Sequence, residues 1–458
     1  LYRFGQYFLS SSKMVPGEDP SHELPSTAPS EHSTLHEKFA NELQKDSESH
    51  KSEHSSDAPP DRGLQAWLML VGAWCALFCT FGWINSVGTF QSYYETTLLQ
   101  SYSASTIAWI PSLQVFFMFA MGPIVGRLYD IFGPSPVLIG GSFLHVFGLM
   151  MASIATKYYQ LLLSQGVCSA MGVCAIFQPS MNSIPSWFNK KRGAAYGIVS
   201  TGSSIGGVIF PIMISRLINE IGYPWAMRTA AFLMLFLLII AILTVRSRVP
   251  PKPVRLNRES MLRPFTEIKM RLVFFGFLMM TFGIFIPINY LVIQAMQSGM
   301  SANLAQYLLP MLNAASLFGR MTAGIGSDKI GPYNILVCAS YLAGIVTLAL
   351  WIPATSNDAI IVYAILFGFS SGAYVSLAAA LVVKISPFPE IGYRTGLLFL
   401  FSSIGGLTTS PIAGAILSHD HGSYTGMKVF AGVFLIAGAS LVLAARVYST
   451  GPVLLARF

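Results

Sequence analysis

Apolar runs of about 20 residues recur from Trp67 to Tyr448, separated by short polar stretches rich in Gly, Pro, Lys and Arg. Because a helix rises about 1.5 Å per residue, each run is long enough to cross a hydrocarbon core of roughly 30 Å. The pattern predicts twelve membrane spans, at 67–90, 105–126, 136–156, 159–183, 193–217, 225–246, 271–295, 302–325, 334–353, 358–383, 393–417 and 425–448. The longest polar interruption, Arg246 to Arg271, divides them six and six. The expected organisation is a disordered cytosolic tail over 1–62, a six-helix half over 63–246, a cytosolic linker over 247–270, a second half over 271–448 and a short cytosolic tail over 449–458. Disorder in the first tail follows from its Ser, His, Glu and Pro content, which offers little to bury.

Composition supports membrane insertion. Only 10% of the chain is charged against 53% hydrophobic, whereas a soluble domain carries about 25% charged residues. The net charge of +8 does not imply a nucleic-acid partner, because the basic residues sit between spans. The linker holds Arg246, Arg248, Lys252, Arg255, Arg258, Arg263, Lys269 and Arg271, and the same face receives Arg127, Lys190, Lys191, Arg192, Lys329, Lys384, Arg394, Arg446 and Arg457. The opposite face receives Lys157, Arg216, Arg228 and Lys428. By the positive-inside rule, both termini and the linker are expected in the cytosol; the expected location is the plasma membrane. The five cysteines all lie in apolar runs, without disulfide or metal spacing. No cleaved secretory signal is expected, and Met14 is a candidate start.

The chain repeats itself. Gly126-x-Leu128-x-Asp130-x-x-Gly133 returns as Gly324-x-Gly326-x-Asp328-x-x-Gly331, 198 positions later. Ser203-Ser204-Ile205-Gly206-Gly207 returns as Ser402-Ser403-Ile404-Gly405-Gly406, 199 positions later. Such offsets mean two parallel, pseudo-symmetric six-helix halves, a transporter architecture. The halves and their Gly-x-x-x-Asp-x-x-Gly turns resemble the major facilitator superfamily, which implies its all-α fold and alternating access. Asp61-Arg62-Gly63-Leu64-Gln65-Ala66-Trp67 and Trp187-Phe188-Asn189-Lys190-Lys191-Arg192-Gly193 are similar to the two signatures of the monocarboxylate porter family, in its fungal branch. Arg62 stands where that family usually has a glycine.

Each turn carboxylate can bond the free N–H groups of a facing helix end, which would make Asp130 and Asp328 latches that open with the cytosolic side, or can simply cap its own loop. The expected partners are Arg394 for Asp130 and Lys190, Lys191 and Arg192 for Asp328. Inside the spans an ionised residue is rare and informative. Arg320 either faces the cavity, where its fork would clamp a carboxylate, or snorkels to the surface. The resemblance implies the first, since the family's span-eight arginine anchors the substrate anion. Its proton-coupled animal members carry an aspartate and a lysine where this chain has Ser316 and Asn85, so the usual proton carriers are absent. His145 is expected to be a packing residue. Further solute contacts are expected at Asn85, Ser316, Gln178, Asn182, Asn289, Tyr290, Asn313 and Tyr374, with Gln114, Thr201 and Gln294 as neutral candidates. Pro287 and Pro310 are expected to bend their spans, and span seven to unwind near Pro287.

The expected function is a carrier for a small organic solute, probed first as a monocarboxylate or related anion, with riboflavin and a secondary metabolite as alternatives. A solute sensor without transport is the competing class. No cofactor, metal or catalytic group is expected, and the carrier is expected to work as a monomer in the bilayer.

Overall fold

The computed structural model describes residues 61–250, 258–453 and 456–458, and its regular structure is helical throughout. The predicted tail is outside the described residues, apart from Asp61 and Arg62. Twelve long helices follow: α1 Leu64–Gly82, α2 Ser105–Phe132, α3 Pro134–Ile154, α4 Tyr158–Trp187, α5 Arg192–Ile221, α6 Tyr223–Thr244, α7 Ile268–Gln297, α8 Leu308–Ile330, α9 Pro332–Trp351, α10 Asn357–Ile385, α11 Phe388–His419 and α12 Thr425–Thr450. Eleven are long and apolar enough to cross a membrane by length and composition. The twelfth, α8, is the one that carries Asn313, Ser316, Arg320 and Asp328 along its length.

Local chemistry sets the corners. Gly133 and Gly331 end α2 and α8 at φ 77° and 97°, a left-handed conformation that side chains rarely adopt. Pro134 and Pro332 then open α3 and α9, where a missing N–H costs no helix bond. The prolines inside spans behave differently from expectation. α7 runs unbroken through Pro287, with Gly283 pressed against Ala431 and Leu435 of α12. α8 starts at Leu308, so Pro310 falls in its first turn, where no bond is lost. The break comes instead in α1, which ends in a π turn over Phe78–Gly82, before a separate helix Val87–Tyr93. At that point Gly82 meets Gly206 of α5, and a Cβ on Gly82 would lie 2.8 Å from the Gly206 Cα.

Two long antiparallel pairs join the halves, α5 with α8 and α2 with α11. The face onto which the linker opens is called the linker side below. The linker itself is partly helical, over Arg258–Thr266, and α7 begins at Ile268, inside the stretch predicted as linker.

Candidate functional site at the seam between the halves

Helical spacing explains why the two pairs fit. Along α5, positions 193, 197, 200, 204 and 207 recur every three or four residues and so share one face. Along α8, positions 313, 316, 320, 324 and 327 do the same. The faces meet residue for residue. A Cβ on Gly207 would come 2.8 Å from the Asn313 amide carbon, and one on Gly193 would come 2.5 Å from the Gly324 carbonyl oxygen. Between these contacts the Ser204 and Ser316 hydroxyls lie 2.8 Å apart.

Arg320 is at the centre of this seam and is buried. Its Nε donates to Ser316 Oγ at 3.2 Å. Its Nη1 donates across the halves to the Ser200 carbonyl at 2.8 Å and to Ser203 Oγ. Among the described residues it forms no ion pair with a carboxylate. Two turns toward the other face, Asn313 Nδ2 donates to Leu309 O at 3.0 Å and to Asn85 Oδ1 of the other half at 3.3 Å. Asn85 Nδ2 returns to Phe81 O at 2.7 Å. Arg320, Ser316, Asn313 and Asn85 thus form one polar strip.

The α2–α11 seam is the symmetry mate of this one but is chemically opposite. Gly122, which is 198 positions before Arg320, has no side chain, and a Cβ there would come 2.5 Å from Gly396 O. Phe399, 199 positions after Ser200, stacks on Phe119 with ring centres 5.4 Å apart and 4° between planes. Phe177 of α4 meets Phe399 edge-on at 5.1 Å, and Phe81 of α1 meets Phe177 at 5.1 Å. One wall between the halves is cationic and hydroxylated, and the other is aromatic.

Both turn carboxylates reach across the halves at the linker side. Asp130 accepts from Gly392 N at 2.9 Å and Tyr393 N at 2.8 Å; Asp328 accepts from Gly193 N at 2.7 Å and Ala194 N at 2.9 Å. As expected of a turn carboxylate facing a helix end, the partners are main-chain N–H groups, next to Arg394 for Asp130 and next to Arg192 for Asp328, and not the charged side chains themselves. The physical reason is that the first turn of a helix has unpaired amides and a positive dipole end, whereas the Arg394 and Arg192 side chains are bonded elsewhere. Arg394 is buried against Glu267 and Glu390. Lys190 and Lys191 offer their main-chain N–H groups to Asp61, and Arg192 bonds back to Phe188 O and Asn189 Oδ1. Burial tends to raise the Asp61 carboxyl, but N–H bonds from Lys191, Lys190 and Asn189 outweigh it and hold it below its usual value. Hydrogen bonds from Arg394 likewise hold Glu267 below the usual carboxylate range.

The remaining predicted residues divide. Gln178 is in the seam, donating from Nε2 to Gly392 O at 2.9 Å. Asn182 is buried beside the Asp130 helix, its carbonyl accepting from Tyr129 and its amide atoms unbonded among the described residues. Asn289 and Tyr290 bond Ser410 within the second half, and Tyr374 bonds Thr281 in the same half. Gln114 meets Gln165 and Gln294 meets Trp351, both within one half. Thr201 accepts from Trp74 Nε1, and His145 is clasped by Ser169 and the Cys79 carbonyl as a packing residue. Sequence reasoning missed Ser200, Ser203, Phe119, Phe177 and Phe399. The serines and Phe399 could have been found by sliding the 199-position repeat along α5 and α11.

A family model of the Major Facilitator Superfamily matches residues 72–367 and 273–454. The chain is 60% identical over 410 residues to the MFS transporter asaE of Aspergillus flavus, covering 89% of this chain and 92% of that one. It is 53% identical over 403 residues to the fujikurins efflux protein of Gibberella fujikuroi, covering 88% and 87%. Among solved structures, the MFS transporter FucP in its outward conformation superposes with a TM-score of 0.66 at 15% identity, covering 82% of this chain and 98% of FucP.

Proposed function

The chain belongs to the Major Facilitator Superfamily, and on that premise we propose that it exports a secondary metabolite that combines a ring-bearing apolar body with an anionic group. The observation that carries this is Arg320, a buried guanidinium at the centre of the seam with only neutral partners among the described residues. A buried cation without a counter-charge is costly, and an anionic solute would supply one. The aromatic wall of Phe81, Phe119, Phe177 and Phe399 suits the rest of such a solute. The efflux named for the fujikurin relative agrees with this direction.

In this reading the linker side is cytosolic, on the basic residues gathered there. Asp130 and Asp328 are its gate: their four bonds close that face, and they must break for the halves to rock and admit solute from the cytosol. The polar strip of Arg320, Ser316, Asn313 and Asn85 contacts the solute. With Ser316 and Asn85 in place of titratable groups, no proton is carried at those positions.

A small monocarboxylate is the second reading, favoured by the two signature stretches. Uptake into inside-out vesicles, whose outer face is the cytosolic one, of an amphiphilic ring-bearing acid or of lactate separates the two. The expected result is saturable movement of the first and none of the second; movement of lactate alone overturns the metabolite reading.

A further inference from the structure

We propose that the linker helix Arg258–Thr266 lies in the membrane plane on the linker side and binds anionic phospholipid headgroups, holding the leaflet against the gate helix α11. Three observations converge on this segment. Met261, Leu262 and Phe265 are exposed large apolar residues, and at 100° per residue they fall within one arc of the helix. The packed side of the same helix is a different arc, marked by buried Pro264. An apolar arc left uncovered on a short basic helix is the pattern of an interfacial element.

The second observation is where that arc points. Phe265 lies 6.2 Å from the Phe274 ring of α7 and 6.4 Å from Phe401 of α11, so it continues the flank of two spanning helices. Neighbouring Ile268 and Phe275 on α7 are also exposed, as lipid-facing residues of a span are. The apolar arc is therefore continuous with the bilayer-facing surface rather than turned to water.

Charge supplies the third. Arg258 and Arg271 are exposed and Lys269 is half-exposed, before and after the apolar residues along the chain. Of the two acids in the stretch, Glu267 is already engaged by Arg394 and Arg263. The outward-facing balance is positive, which selects anionic headgroups over zwitterionic ones. The helix is fastened to the gate: Tyr393 donates from its hydroxyl to Met261 O at 3.3 Å, and Tyr393 N is one of the two amides that Asp130 holds.

The test needs no transported solute, so it stands or falls apart from the export reading. The full chain with Leu262→Cys, Cys338→Ser and Cys168→Ser is labelled with bimane and placed in phosphatidylcholine vesicles. Equal small fractions of brominated phosphatidylcholine or brominated phosphatidylserine are then added. The expected result is quenching by both, at least two-fold stronger per lipid for the serine form. Arg258→Gln with Arg271→Gln, or 0.5 M NaCl on the labelled chain with both arginines kept, should bring the ratio toward one. Equal quenching by the two lipids from the start would overturn headgroup selection. Absence of quenching by either would place the helix in water, as for an acidic soluble partner or a second copy of the chain, and would overturn the proposal altogether. Should the arginine variants fail to insert, the salt series decides alone.

Discussion

Glu267 and Arg394 meet fork to fork, with Nη1 to Oε2 at 2.7 Å and Nη2 to Oε1 at 2.9 Å. Glu390 takes the remaining Nε at 2.8 Å. Arg394 follows directly on Gly392 and Tyr393, the two residues whose amides Asp130 holds. The linker, α11 and α2 are therefore tied at one point.

Glu267→Gln should destabilise the protein by about 1–3 kcal/mol, less than for a fully buried pair because Glu267 is partly exposed and Glu390 still faces the arginine. Thermal melting in detergent reads it. The pH dependence has a definite sign. The Glu267 carboxyl is held below its ordinary 4.5, so its contribution is whole above that pH and is lost as pH falls through the lowered native value. The gap between wild type and Glu267→Gln should therefore shrink below pH 4.5; a gap that widens on acidification contradicts the assignment.

Gly126→Ala should spread the α2–α11 seam, because the new Cβ would lie 2.0 Å from the Gly392 carbonyl oxygen. Backbone cannot yield as a side-chain tip can. Gly140→Ala on α3 meets nothing within 4 Å and serves as the control, expected neutral or stabilising by up to about 1 kcal/mol from helix propensity. Cysteine cross-linking across the linker side should fall for the first and stay unchanged for the second.

Asp130→Asn and Asp328→Asn each leave one acceptor oxygen where two amides were bonded. Each alone should raise the labelling of seam positions from the linker side several-fold. The double variant should exceed the sum of the singles, since both seams close the same face. Labelling that stays at the wild-type level in the double variant would remove these residues from the gate.

Arg320→Ala should abolish transport of an anionic solute while folded protein remains in the membrane, and Arg320→Lys should restore little, because an ammonium lacks the two-bond fork. Ser316→Asp is the more discriminating change. Ser316 Oγ is 3.2 Å from Nε, so a carboxylate there would neutralise the guanidinium and compete with the anion. Anion transport should drop and become pH-dependent, recovering as the new acid is protonated. Transport by Ser316→Asp that equals wild type at every pH would show that the anion binds elsewhere.

Much of this was written in single-helix patterns. Run length predicted twelve spans, and the repeats of Gly126–Gly133 at Gly324–Gly331 and of Ser203–Gly207 at Ser402–Gly406 predicted two halves, because a bilayer imposes length and a duplicated chain keeps its turns. Asp130, Asp328 and Arg320 stood out for the same reason: charge near or within apolar runs is costly enough to be rare.

The repeat pointed Asp130 to the start of α11, more than 260 positions away, but not to the part played by Arg394, whose side chain turns to Glu267 of the linker and to Glu390 because those carboxylates come near it only in space. Nor does a repeat reveal where its copies diverge in use. Gly122 and Arg320 occupy equivalent places, yet one admits the close approach of Gly396 and the other reaches Ser200 and Ser203. The sequence by itself determined the spans, the duplication and the rare charges, since these depend on local composition against a fixed bilayer thickness. Only the tertiary structure decided that one seam is cationic and the other aromatic, because that contrast exists only once four helices from two halves are brought face to face.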